Sequence, residues 1–134
     1  MSNKIKEIFL QTNKSDKTIF TTGFRDLDNC FNNIKTGSLI TIGGRPAMGK
    51  TEFVLSIVNN LLLNNKKVTY FNLDLTQEYF INRLIANKTN LPIKDIFKRN
   101  FDYDSIITDL DFYENKSLKI ENNYNLTIDD LEKK

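Results

Sequence analysis

The chain has 134 residues, of which 40% are hydrophobic and 27% charged, the ordinary mix of one globular domain. It holds no His and a single Cys, Cys30, which excludes His-based nucleophilic catalysis, His-ligated zinc and paired-Cys chemistry. The formal charge of +2 calls for no polyelectrolyte partner, though residues 1–100 carry 15 basic against 8 acidic groups and residues 101–134 carry 4 against 9, an asymmetry read as solvated surface. The longest apolar stretch, Phe53 to Leu63, is interrupted by Ser56, Asn59 and Asn60 and falls short of the ~18 apolar residues of a membrane span. With no apolar signal core at the N-terminus, the chain is expected to be soluble and cytoplasmic.

In chain order, residues 1–21 read as a lead-in. Ile5, Ile8 and Phe9 share one helical face, and residues 13–17 form a polar linker. Phe24, Leu27 and Phe31 recur at helical spacing, and Cys30 lies on that apolar face as a small core residue. Gly37-Ser38 turns the chain into Leu39-Ile40-Thr41-Ile42, a short β-branched run expected to be a buried strand. After the glycine-rich segment 43–49, a helix is expected from Thr51 to Asn65, with Phe53, Val54, Ile57, Val58, Leu61 and Leu62 inward. Val68 to Leu73 is a second strand. Together these elements predict a βαβ unit with parallel strands and a right-handed crossover. Thr76 caps a helix over Gln77–Asn87 with Tyr79, Phe80, Leu84 and Ile85 inward. Pro92 opens a short helix, Ile93 to Lys98. Asp104 to Asn115 is helical through Ile106, Ile107, Leu110 and Tyr113. Leu118-Lys119-Ile120 is a third short strand, and Thr127 is the N-cap of a helix with Asp129 and Asp130 in its first turn.

The chemistry sits in Gly44-Arg45-Pro46-Ala47-Met48-Gly49-Lys50-Thr51, which matches the phosphate-binding pattern G-x-x-x-x-G-K-[ST]. Glycines let backbone amides approach phosphate oxygens, and the helix that follows points its positive end at them. The Lys50 ammonium reaches the β- and γ-phosphates, and the Thr51 hydroxyl is a hard ligand for Mg²⁺. A chance match in a chain this long is on the order of half a percent, and the expected flanking strand and helix lower it further. The expected ligands are therefore ATP and Mg²⁺.

The loop's Arg45-Pro46 and Met48 closely resemble the P-loop of DnaB-like replicative hexameric DNA helicases. Thr22-Gly23-Phe24-Arg25-Asp26-Leu27-Asp28 is similar to the T-G-F-x-x-L-D opening of that family's ATPase domain. Phe71-Asn72-Leu73-Asp74-Leu75 falls where the family has F-S-L-E-M, Arg83-Leu84-Ile85-Ala86 resembles its R-L-L-A, and Leu126 to Leu131 resembles its L-T-I-x-x-[IL]. The resemblance implies a RecA-like α/β ATPase core, a parallel sheet with flanking helices, over residues 22–134. It also implies ATP with Mg²⁺, a ring of helicase subunits and translocation on single-stranded DNA. The family's water-orienting glutamate falls at Asp74.

Asp74 is shorter than glutamate by one methylene, about 1.5 Å of reach, in a role that needs a water within ~2.6–3.2 Å, so slow hydrolysis is expected. Its plainer reading is a strand-end residue capping the next helix. The chain stops before the family's second acidic strand, its DNA loops and its arginine finger, and none of Arg25, Arg45, Arg83 and Arg99 matches the finger. The expected domain is thus truncated. The alternative is a non-catalytic nucleotide-binding or interaction module, or a truncated remnant, that docks on a full-length helicase or self-associates as a homo-oligomer. Lys98 to Tyr103 mixes basic and aromatic residues as a single-strand stacking surface would, but Asp102 and Asp104 argue against it. Asp109 and Asp111 read as a solvated helix face.

Overall fold

In the computed structural model the described residues are 4–7, 19–31, 34–122, 127 and 129. They divide into two compact units, residues 1–41 and 42–134, each of which has its own internal logic.

In the first unit residues 4–7 are helical (α1), followed by β1 (Ile19–Phe20), α2 (Arg25–Phe31) and β2 (Ile34–Lys35). β1 pairs antiparallel with β2, Ile19 opposite Lys35 and Phe20 opposite Ile34, so the expected lead-in contains the start of a sheet. Ile8, Phe9 and the expected linker lie outside the described residues. Asp28 organises the chain between β1 and α2. Its carboxylate accepts from the Thr22 N–H at 2.7 Å, the Thr22 hydroxyl at 2.7 Å and the Gly23 N–H at 3.2 Å. Thr22 Oγ1 in turn accepts from the Phe24 N–H at 3.2 Å. Gly23 has φ +86°, a left-handed conformation that a side chain would resist. The T-G-F-x-x-L-D string is therefore, physically, a closed polar turn at the start of a helix.

Two expectations fail in this region. Cys30 is exposed, because α2 buries no residue completely and Phe31 beside it is itself exposed. Residues 39–42 form no strand; Leu39 is 93% exposed, and Ile40 and Ile42 are exposed as well. A buried strand needs a ladder partner for its N–H and C=O groups and cover for both faces, and no strand among the described residues pairs with this run.

The second unit runs α3 (Lys50–Leu63), β3 (Val68–Phe71), α4 (Gln77–Thr89), α5 (Ile93–Phe97), α6 (Tyr103–Glu114) and β4 (Leu118–Glu121). β3 and β4 are parallel, with Val68 opposite Leu118 and Phe71 opposite Glu121. The ladder is extended at both ends, Val68 N–H donating to Ser117 O and Asn72 N–H to Glu121 O. Parallel neighbours require a long crossover, and α4, α5 and α6 supply it. The expected parallel pair of residues 39–42 with 68–73 is therefore replaced by β3 with β4.

The core forms where α3 meets α4: Leu55, Val58 and Leu62 pack on Phe80 and Leu84. A second cluster joins Ile85 and Ala86 to Ile96 of α5 and Ile106 of α6. Of the face expected inward on α3, Val58 and Leu62 are buried and Val54 packs against them, while Phe53, Ile57 and Leu61 are half-buried; Leu55 and the polar Asn59 are buried beside the expected set. On α6, Ile106 is buried and Tyr113 packs inward, but Ile107 and Leu110 are exposed. The caps explain where helices start. The Thr76 hydroxyl accepts from Tyr79 N–H, and the Asp102 carboxylate accepts from Asp104 N–H at 3.3 Å. Asp129 is helical; Leu126, Ile128, Asp130 and Leu131 lie outside the described residues.

A polar chain crosses this core. The Tyr113 hydroxyl donates to Asn59 Oδ1 at 2.7 Å and lies 3.2 Å from Leu84 O. Asn59 Nδ2 donates to Asn87 Oδ1 at 2.8 Å. Asn87 Nδ2 donates to Ser56 Oγ at 3.0 Å and to Glu52 O at 3.3 Å. The chain runs from α6 to the first turn of α3, the helix that follows the glycine-rich loop, and fixes where that turn lies.

Candidate functional site

The loop 43–49 belongs to the second unit and leads directly into α3. Gly49, at the N-cap, has φ +80°, and Ala47 has φ +59°. Two left-handed residues within three bend the chain sharply enough to bring its amides round the start of the helix. Lys50 folds back over the loop, its Nζ donating to Gly44 O and to Arg45 O, both at 3.0 Å. A Cβ at Gly44 would stand 3.4 Å from Lys50 Cγ, an ordinary contact, so the lysine stem lies close along the loop. Met48 N–H donates to Arg45 O at 3.3 Å and closes the turn. Residues 44–49 are exposed, and Lys50 and Thr51 are half-buried. No side chain caps the start of α3, so the helix presents uncapped amides and its positive end at the loop. The eight residues expected to act together, Gly44 to Thr51, thus form one exposed, cationic turn that runs into the start of α3, with Lys50 folded over it.

Asp74 lies exposed in the turn that joins β3 to α4. Thr76, not Asp74, provides the side-chain cap of α4, so the plainer reading of Asp74 as the helix cap does not hold. Around Tyr70, burial first and then the Asp74 carboxylate push the phenol pKa upward, and the Arg83 guanidinium opposes them. Arg83 in turn pairs with Glu52 at 3.4 Å, lies 5.1 Å from the Tyr79 ring centroid, and has its Nε buried without a hydrogen-bond partner among the described residues. Glu52 follows Thr51 directly.

Arg83, Glu52 and Asn72 were not legible as site-side residues from the sequence. The R-L-I-A string marked Arg83, but only the fold brings it to Glu52, 31 positions earlier. In the basic-aromatic stretch Phe101 packs against the cluster of Ile85, Ala86, Ile96 and Ile106, its ring tilted against Tyr103 at 5.1 Å, and Asp102 caps α6, while Lys98, Arg99 and Tyr103 are exposed. Asp109 pairs with Lys88 at 3.4 Å.

Residues 20–134 match the family model described as the DnaB-like helicase C-terminal domain. The chain belongs to that family. It is 35% identical over 127 residues to a probable replicative DNA helicase of Guillardia theta, covering 94% of this chain and 20% of that protein. It is 34% identical over 83 residues to the replicative DNA helicase DnaB of Helicobacter pylori strain 26695, covering 62% of this chain and 17% of that protein. The chain therefore spans about a fifth of the length of these DnaB-like relatives. A solved ATPase domain superposes with a TM-score of 0.79 over 97% of this chain and 48% of that one, at 22% identity. The fold is thus RecA-like, with the parallel pair β3–β4 as the part of the sheet formed by the described residues.

The DnaB-like family implies a nucleotide and Mg²⁺, and the residues present fit both. The loop offers amides, an uncapped helix start and one ammonium, the donor set that phosphate needs. Among the described residues no three of His, Cys, Asp and Glu converge, so Mg²⁺ here would rely on the Thr51 hydroxyl together with phosphate oxygens and water.

Proposed function

We propose that the chain is the nucleotide-binding part of a replicative DNA helicase, covering residues 22–134 with residues 1–21 as its lead-in, and that it acts in the cytoplasm on ATP. The observation that carries this reading is the Gly44–Thr51 turn with the Lys50 ammonium seated in it. Loop amides and the first turn of α3 bind the phosphates. Lys50 exchanges its two carbonyl partners for β- and γ-phosphate oxygens, and the Thr51 hydroxyl holds Mg²⁺. Mg²⁺ held there would offset the charge that develops on the phosphates. Asp74 orients a water for in-line attack on the γ-phosphorus, releasing ADP and inorganic phosphate. Its carboxylate reaches about 1.5 Å less than a glutamate's, and misplacement of about 1 Å can cost on the order of 10²-fold, so turnover is expected to be slow. The partners that fit this role are further helicase subunits, copies of this chain included, and single-stranded DNA.

The shortened carboxylate favours one second reading, a non-catalytic nucleotide-binding module that docks on a complete helicase. Both readings require the loop to bind. Thermal melts with and without Mg-ATP test that requirement. Wild type should gain about 2.7 kcal/mol at 100 times the dissociation constant, and Lys50→Ala should gain far less. An equal shift in both proteins removes the nucleotide site. Turnover that disappears in Lys50→Ala decides for the enzyme over the module.

A further inference from the structure

Between the end of β3 at Phe71 and the start of α4 at Gln77 the chain must reverse within five residues, and Asn72 closes that reversal. Its Nδ2 donates to Leu75 O at 2.7 Å and to Asn122 Oδ1 at 2.7 Å, and its Oδ1 accepts from the Leu75 N–H at 3.2 Å. Its backbone N–H donates to Glu121 O at 2.9 Å. The side chain is spent on these bonds and only 2% of the residue is exposed. The residue two before Asp74 is therefore fixed to β4 by its main chain and to Asn122, just past β4, by its side chain. The residue after Asp74 is fixed to Asn72 by both its N–H and its C=O. Asp74 lies between these ties, exposed, with its backbone enclosed in a four-residue ring.

The tie to Asn122 and the main-chain bond serve strand pairing. The two bonds to Leu75 do nothing for the sheet; they set the shape of the turn that carries the carboxylate. We propose that Asn72 is the positioning residue for Asp74, holding the point from which its short carboxylate reaches into the site. This rests on the reading of Asp74 as the water-orienting group. A side chain with about 1.5 Å less reach tolerates little drift in its Cα, because about 1 Å of misplacement can cost on the order of 10²-fold.

The test compares wild type, Asn72→Ala, Asn72→Ser, Asn122→Ala and Asp74→Asn in steady-state Mg-ATP turnover, with hydrogen exchange at the Leu75 amide followed in parallel. Asn72→Ala should lower kcat roughly 10- to 100-fold with KM changed little. Asn72→Ser, whose hydroxyl can still accept from the Leu75 N–H, should recover part of that loss. Asn122→Ala, which removes only the side-chain bond to the residue after β4 and leaves the main-chain bond to Glu121 and both bonds to Leu75 in place, should keep kcat near wild type. The Leu75 amide should be protected in wild type and Asn122→Ala, and should exchange about tenfold faster or more once the acceptor is gone in Asn72→Ala. The inference is overturned if Asn72→Ala turns over like wild type, if Asn122→Ala loses as much kcat as Asn72→Ala, or if the Leu75 amide is unprotected in wild type. Wild-type turnover matched by Asp74→Asn, or absent altogether, overturns the reading of Asp74 itself and takes the inference with it.

Discussion

Asp28 holds a charge that is better placed folded than unfolded. Burial raises its pKa, but the Thr22 N–H, the Thr22 hydroxyl and the Gly23 N–H outweigh that, leaving it below the ordinary 3.8. A depressed folded pKa means stability that is present above the unfolded pKa and lost as pH falls through the folded one. The urea midpoint should therefore fall between about pH 5 and pH 3, and the Asp28→Asn protein should show a smaller fall. In an NMR titration the Asp28 carboxyl should have its midpoint below the ordinary value, and Thr22→Ala, which deletes the hydroxyl donor, should move it up. The eight-residue loop from Gly44 to Thr51 was legible as a string, because each position of the pattern has a local task. The hold on Asp28 was legible only as a resemblance, because two of its three donors are backbone amides that leave no mark on composition.

Among the elements, α3, α4 and α6 are tied by one interior hydroxyl. Tyr113 lies in a setting where burial, with the Asp109 carboxylate adding to it, pushes the phenol pKa far up against the lowering effect of Asn59, so the group stays a neutral donor. Tyr113→Phe keeps the ring and leaves Asn59 Oδ1 without that bond in the core. The expected cost is about 1–3 kcal/mol, read from urea unfolding of the two proteins. Sequence reasoning located helices α3 to α6 and strands β3 and β4 well, since each has its own period or cap, such as Thr76 and Pro92. It could not see that Asn59, a polar residue in an apolar helix, is buried, because its partner lies 54 positions later. It placed a strand at 39–42 because that run has the composition of one. Composition reports the faces a strand wants covered, not whether a neighbour is there to pair. Conversely, β1 and β2 are two residues each, too short for any alternation to register.

At the scale of the whole molecule, the apolar run at 39–42 faces solvent, with Leu39 almost wholly bare. Exposed apolar segments with strand-like composition promote association. Light scattering of the wild-type chain should rise with concentration, and Leu39→Lys should flatten that rise without changing the Mg-ATP melt shift. The interior behaves differently, and the Tyr113–Asn59–Asn87–Ser56 chain shows why. α3 carries a broad apolar face through Val54, Leu55, Val58 and Leu62, and a face of that kind could slide along its neighbours with little change in the area it buries. Sliding by one helical turn, about 5.4 Å, would separate every polar partner in that chain at once and leave buried amides facing hydrocarbon. The polar chain therefore acts as an index mark on otherwise slippery helices: it selects one registry out of several that hydrophobicity alone would accept, and so fixes where the first turn of α3, with the glycine-rich loop joined to it, lies along α4 and α6.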